Sequence, residues 1–217
     1  MSFLLGNIDI IIPLFVFIAA VLYFLFQHQK PVLIDKIIFV FWAGEIILNT
    51  MGGILEYYSV NNMLVYSLNV LFFALVFTIY FYRDLSGRRV KKFVLTCFGV
   101  FVLFFAVNIL FIQPYYTFNS YAYAFGALLI VVYSLIGLRQ LLNFSLEHDI
   151  LKLKNFWFAA GILLYFGSCF FIFISYNYLT VVSKTDVGVL WKIHNLFLAV
   201  CCIIFLKAIT CKEWIPK

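Results

Sequence analysis

The sequence predicts an all-α protein, a polytopic seven-transmembrane-helix bundle with its N-terminus outside and its C-terminus in the cytoplasm. Three observations predict it. The 217 residues are 66% hydrophobic and only 11% charged, with a mean hydropathy of +1.09. A soluble domain is about 45–50% apolar and about 25% charged, so the main solvent here is lipid. The apolar residues fall into seven runs, each near the ~20 residues that a helix needs to cross a bilayer. The basic residues alternate between the sides of those runs in a strongly biased way.

In order, the predicted spans are 8–26, 36–57, 63–82, 93–112, 121–138, 156–175 and 189–206. Together they make one transmembrane domain over 1–217, with no linker or internal repeat evident. The first span carries Pro13 in its opening turns, where proline is tolerated. The start of the chain lacks a basic n-region and a small-residue cleavage site, so this span is expected to stay as an anchor. The most basic loop follows the third span and holds Arg83, Arg88, Arg89, Lys91 and Lys92. The stretch RQLLNFSLEHDILKLK after the fifth span is amphipathic, and a short surface helix is expected there.

Orientation follows from counting. One side of the predicted topology collects thirteen Lys and Arg, the other only Lys184 and Lys192. Basic loops stay in the cytoplasm, so the chain is read as a multi-pass protein of a bacterial inner membrane. The net charge of +6 is explained by topology, and no nucleic-acid partner is inferred. The lipid bilayer is the one certain surrounding. A cytoplasmic or membrane protein partner is a further expectation, with the five basic residues from Arg83 to Lys92 as its contacts.

The second span, KIIFVFWAGEIILNTMGGILEY, sets the functional question. Glu45, Asn49, Gly52 and Glu56 fall at i, i+4, i+7 and i+11, on one helix face. Glu45 lies nine residues beyond Lys36, roughly 13 Å into the bilayer at 1.5 Å per residue. A carboxylate at that depth is costly and marks a candidate site. Other spans carry polar stripes at helical spacing: Asn62, Tyr66 and Asn69; Asn119, Tyr123, Gly126, Tyr133 and Gly137; Trp157, Gly161, Tyr165 and Ser168; Trp191, His194 and Asn195. Polar groups turn inward in hydrocarbon, so these stripes are expected to converge. The ligand-binding or polar-interior candidates are Glu45, Asn49, Glu56, Asn62, Tyr66, Asn69, Asn119, Tyr123, Trp191, His194 and Asn195. Gln113, Tyr115, Tyr176 and Asn177 join Glu56, Asn61, Asn62 and Asn119 at the outer ends, where they are expected to rim a pocket.

Each candidate has a plainer reading. Glu45 can be a neutral carboxylic acid tying helices through Asn49, His194 a packed interior histidine, and the asparagines interhelical glue. Gly44, Gly52 and Gly53 suit close helix contacts, and the outer tyrosines suit an interfacial belt. The five cysteines show no CxxC or Cys/His spacing and read as small buried hydrophobes, with no metal site. Lys207 in the last span would suit a retinal linkage, but it lies at the cytoplasmic end with no Asp in the third span as counter-ion. It reads instead as a snorkelling lysine.

HExxH, GxSxG, a Walker loop and a clustered Asp pair are all missing, so no catalytic residue and no cofactor is assigned. The runs NNMLVYSLNVLFFALVFTIYFYR, FIQPYYTFNSYAYAFGALLIVVYSL, FWFAAGILLYFGSCFFIFISYNYL and LWKIHNLFLAVCCIIFLKAI carry a resemblance. Over roughly residues 40–210 the chain resembles a group of seven-helix integral membrane proteins of Bacteroidota-type bacteria. That group is similar in layout to the seven-helix sensor modules that precede histidine kinases. The resemblance implies the fold and a signalling setting, without a particular activity; the 217 residues themselves contain no kinase domain. The size is also near that of lysoplasmalogenase-type hydrolases, whose eight spans and carboxylate motif are not matched.

The sequence therefore favours a non-enzymatic sensor, receptor or signalling accessory with an outward-facing polar pocket. Three alternatives stand beside it: a transporter or oligomeric pore with Glu45 on the path, an intramembrane lipid-modifying enzyme using Glu45 and His194, and a membrane effector of a bacterial defence system.

Overall fold

A computed structural model describes residues 8–28, 30–144, 149–184 and 186–211. The first seven residues, 145–148 of the amphipathic stretch, and the counted Lys212 and Lys217 lie outside them. Seven helices are long and apolar enough to cross a membrane, and the described residues contain no β-sheet. They are α1 (Ile8–Gln27), α2 (Leu33–Tyr57), α3 (Met63–Asp84), α4 (Arg88–Val107), α5 (Ser120–Phe144), α6 (Lys154–Ile174) and α7 (Val187–Thr210). A π-helical turn, Asn108–Ile112, prolongs α4, and another, Tyr178–Val182, follows α6.

Several helices run further than their apolar cores. α5 continues through Phe144, so the first third of the amphipathic stretch prolongs a span and is not a separate surface helix. Local chemistry sets the ends. Gly87, at φ +95°, makes the turn into α4 that a side chain would strain. α2 closes with Ser59 in the left-handed region, while Val60 N–H donates to Leu55 O at 2.8 Å and Ser59 N–H to Glu56 O at 2.9 Å. This is a Schellman-type ending, built without glycine. Asp186 caps α7, its side chain accepting from Gly188 N–H at 2.9 Å.

Neighbouring helices close into a ring in the order α1, α2, α3, α5, α6, α7 and back to α1. α4 stands outside the ring against α3 and α5. Its lipid side shows in Leu103 at 68% and Phe111 at 79% exposure, where a soluble protein would hide such residues. Gly161 lets α6 and α7 approach: a Cβ there would stand 2.7 Å from the ring of Phe205. Gly44 likewise faces the Phe72 ring and Gly52 the Tyr66 ring, but Gly53 faces open space and mediates no close contact.

Two ends can be distinguished. At the basic end, Arg83, Arg88, Arg89 and Lys92 are exposed, while Lys91 lies partly buried with its Nζ 5.6 Å from the Tyr82 ring centroid. The Ser86 backbone is held in both directions by Gln140, at 3.0 and 3.1 Å, which ties this loop to α5. The opposite end is rich in tyrosine. Between them, Phe41, Phe77, Phe158 and Phe205 are fully enclosed in the basic half, with ring centroids 5.0 to 6.1 Å apart along the chain of contacts. They form an aromatic plug across the ring's interior.

Below the plug is an ion pair that composition did not reveal. Lys154 Nζ sits 2.7 Å from Asp35 Oδ1 and donates to Ile209 O at 2.8 Å. The other oxygen of Asp35 accepts from Val32 N–H at 3.0 Å, capping α2. One side-chain pair thereby fastens the basic ends of α2, α6 and α7. Lys154, one of the thirteen basic residues counted on that side, is paired and buried.

Candidate binding cavity

Above the plug the ring encloses a cavity of about 50 Å³. That is room for a few waters or one small ligand group. Glu45 and Asn49 enter from α2, Asn69 from α3, Tyr165 and Cys169 from α6, and His194 from α7. Members of the stripes on these helices line one space. Aromatic rings fill the rest of the wall, with Phe73 and Phe166 on the floor and Phe173 on the side.

The polar groups form one chain. Asn49 Nδ2 donates to Glu45 Oε2 at 2.7 Å, the i, i+4 pair read from sequence. Tyr165 donates its hydroxyl to Glu45 Oε1 at 3.4 Å and lies 3.3 Å from His194 Nε2. A phenol has one proton. If it goes to Glu45, Nε2 carries the imidazole proton and donates to the phenol oxygen. Nδ1 then accepts from the thiol of Cys169, 3.5 Å away. Glu45 Oε1 and His194 Nε2 are no more than about 7 Å apart, the sum of their two distances to Tyr165. Cys169 is therefore more than filler, since it ends a hydrogen-bonded chain.

Toward the tyrosine-rich end a second space of about 310 Å³ opens between Glu56, Asn62, Phe118 and Tyr176. Tyr66 and Trp191 line both spaces, their ring centroids 6.3 Å apart. They form the partition between vestibule and cavity. Tyr66 is steadied from behind, since Tyr123 donates its hydroxyl to Tyr66 O at 2.6 Å. Asn62 is turned aside to donate to Gly52 O at 3.2 Å. Glu56 is exposed on the rim. Tyr123 and Asn195 also line the cavity.

Comparison of the chain with known protein families, curated proteins and solved structures finds no match. The site must be read from its own geometry.

Asn119 and Gln113 go elsewhere. Asn119 Nδ2 donates to Ser67 Oγ at 2.8 Å, and Asn119 Oδ1 accepts from Asn108 Nδ2 at 2.8 Å. Gln113 Oε1 accepts from Asn108 and from Tyr121 N–H, while Gln113 Nε2 donates to Ser120 Oγ at 3.0 Å. These side chains are at most 8% exposed and line neither the cavity nor the vestibule. They knit α3, the π turn after α4, and α5. Asn119 opens α5 instead of lying along its inner face, so its side chain turns to the helix ends beside it. Tyr133 leaves the stripe too, donating to Val94 O of α4 at 2.7 Å, and Trp157 donates to Leu151 O at 2.8 Å, away from the interior. Tyr115 is exposed at 59% at the same end.

Sequence reasoning missed Asp9, which lines the cavity from the first turn of α1. Its signal was an acidic residue at a span edge, where an interfacial position is the default reading. Tyr165 stood in a predicted stripe without being singled out. Among the described residues, no group of three His, Cys, Asp or Glu gathers to hold a metal.

Proposed function

We propose that the chain is a non-enzymatic membrane sensor or receptor that takes a small solute from outside and passes its occupancy to a cytoplasmic partner. The thirteen-to-two distribution of basic residues supports a basic end in the cytoplasm of an inner membrane and an outward-facing N-terminus. The observation that carries the reading is one-sidedness. The cavity adjoins the vestibule at the tyrosine-rich end through Tyr66 and Trp191, while Phe41, Phe77, Phe158 and Phe205 fill the other half. A solute arriving from the vestibule would touch α2, α3, α6 and α7 together. Those helices meet the basic end beside the Asp35–Lys154 pair and the Arg83–Lys92 loop, so a shift among them reaches the exposed arginines.

A photo-cross-linking residue placed at Arg88 or Arg89 tests the output side. The expected result is capture of one stoichiometric protein from intact cells, by mass spectrometry. A clean membrane with no captured protein at either position contradicts the reading.

One observation favours a second reading. Tyr165 lies between Glu45 and His194, at 3.4 and 3.3 Å, a separation that one bridging hydroxyl spans, and this supports an intramembrane acid–base enzyme. The transporter reading needs the aromatic plug to part, and Glu45→Gln would then abolish a measurable flux.

A further inference from the structure

Resting on the outward-facing pocket, the ligand's chemical class can be read from what the cavity lacks. Among the described residues its wall carries two carboxyl groups, Asp9 and Glu45, and no lysine or arginine. Lys192, next in sequence to Trp191, is exposed and does not line the cavity. Two acidic groups beside a hydrocarbon-embedded space are costly without a compensating cation. The acids alone would decide nothing, since water or protonation can relieve them.

The second observation is independent. Asn69 lines the same cavity, is 95% buried with only 5% exposure, and its Oδ1 has no hydrogen-bond partner. Most buried side-chain acceptors are satisfied, and an orphan in a native site calls for a missing donor. No donor of the wall reaches it: Asn49 directs one N–H, and Tyr165 its hydroxyl, to Glu45 instead. The site thus presents a carboxylate on α2 and an unfilled amide oxygen on α3, and it asks for a group that donates in more than one direction. The remaining surface is aromatic, with Phe73, Phe166, Phe173 and Trp191 around the space. Aromatic faces attract a cation within about 6 Å of the ring centre. Size gives the last limit, because about 50 Å³ admits a head group and little more.

We infer that the cavity binds a small primary alkylammonium ion, its N–H groups shared between Glu45 and Asn69 Oδ1 and its charge faced by the surrounding rings. A quaternary ammonium ion has the charge without the donors and leaves Asn69 unpaired. An alkali cation has neither N–H groups nor the attraction of an alkyl body to the rings.

The test uses the full chain purified in lipid nanodiscs, titrated calorimetrically with methylammonium chloride, tetramethylammonium chloride and potassium chloride at matched ionic strength. The expected result is saturable binding of methylammonium, with tetramethylammonium and potassium at least tenfold weaker. Asn69→Leu and Glu45→Gln should each weaken methylammonium at least tenfold. Either folded variant suffices, and thermal unfolding monitors that both remain folded. No saturable heat with methylammonium, equal binding of all three salts, or unchanged affinity in the variants would overturn the inference. A cavity that holds water alone gives the first of these outcomes. Failure here, with the cavity still reached from the outside by the thiol reagent described at the end of the Discussion, removes the ligand class and leaves the sensor pocket. Failure of both removes the pocket.

Discussion

Replacing Lys154 by alanine lowers the stability of the folded bundle by about 3–5 kcal/mol, the usual cost of stranding one member of a buried ion pair. Lys154 and Asp35 are 7% and 1% exposed, and their 2.7 Å contact joins residues 119 apart in sequence. Removing the ammonium leaves the Asp35 carboxylate with the hydrogen bond from Val32 N–H, and it frees Ile209 O at the end of α7. Three helix ends lose their shared fastening at once. Thermal unfolding in detergent, followed by circular dichroism, measures the loss. A double replacement, Asp35→Leu with Lys154→Met, should recover most of it, because well-packed hydrophobic residues often substitute for a buried pair at little cost. A single variant as stable as the wild type would show that the pair is solvated and holds nothing.

Replacing Asn119 by leucine is expected to cost about 1–3 kcal/mol, the price of leaving buried polar atoms unpaired. Asn119 is 1% exposed and joins Ser67 of α3 to Asn108 at the end of α4. Its loss leaves Asn108 Nδ2 with the 3.3 Å contact to Gln113 alone. Asn108 is fully buried and its Oδ1 is already without a partner, so it has no reserve. Interhelical hydrogen bonds in membranes average about 0.6 kcal/mol, which places a single lost bond below this range and the broken network within it. Hydrogen exchange should show the effect concentrated at the tyrosine-rich ends of α3 to α5. Asn119→Ser, which keeps a donor and an acceptor, should lose less. Protection that falls equally across all seven helices would contradict a local role.

These two sites show where a single sequence stops being informative. Spans and polar faces are written locally: apolar run length shows seven helices, and the i, i+4 spacing of Glu45 and Asn49 matches their 2.7 Å bond. His194 and Tyr165 were legible as members of inward faces, because period alone places them. Pairing across the chain is not local. Nothing near Asp35 points to Lys154, and a lysine after a cytoplasmic loop fits the charge rule whether it is solvated or buried. Asn119 shares a face with Tyr123 by spacing, yet it opens its helix, where side chains satisfy neighbouring ends instead of the interior. Asp9 shows the converse, an edge residue that lines a cavity. Gly53 followed the small-residue pattern and met no neighbour, since small residues permit close packing without requiring it.

The central claim is that the cavity beside Glu45 is reached from outside the cell and closed from the cytoplasm. It is tested by Asn195→Cys in a background whose five native cysteines have been replaced. Asn195 lines the cavity on α7, eight residues beyond Val187, roughly 12 Å from the start of its helix at 1.5 Å per residue. A small, membrane-impermeant, positively charged methanethiosulfonate is added to intact cells, with Arg88→Cys as the basic-end control. The account predicts labelling of Asn195→Cys from outside and none of Arg88→Cys until the membrane is opened. Labelling of Asn195→Cys only from the cytoplasmic side, or of Arg88→Cys from outside, would contradict it.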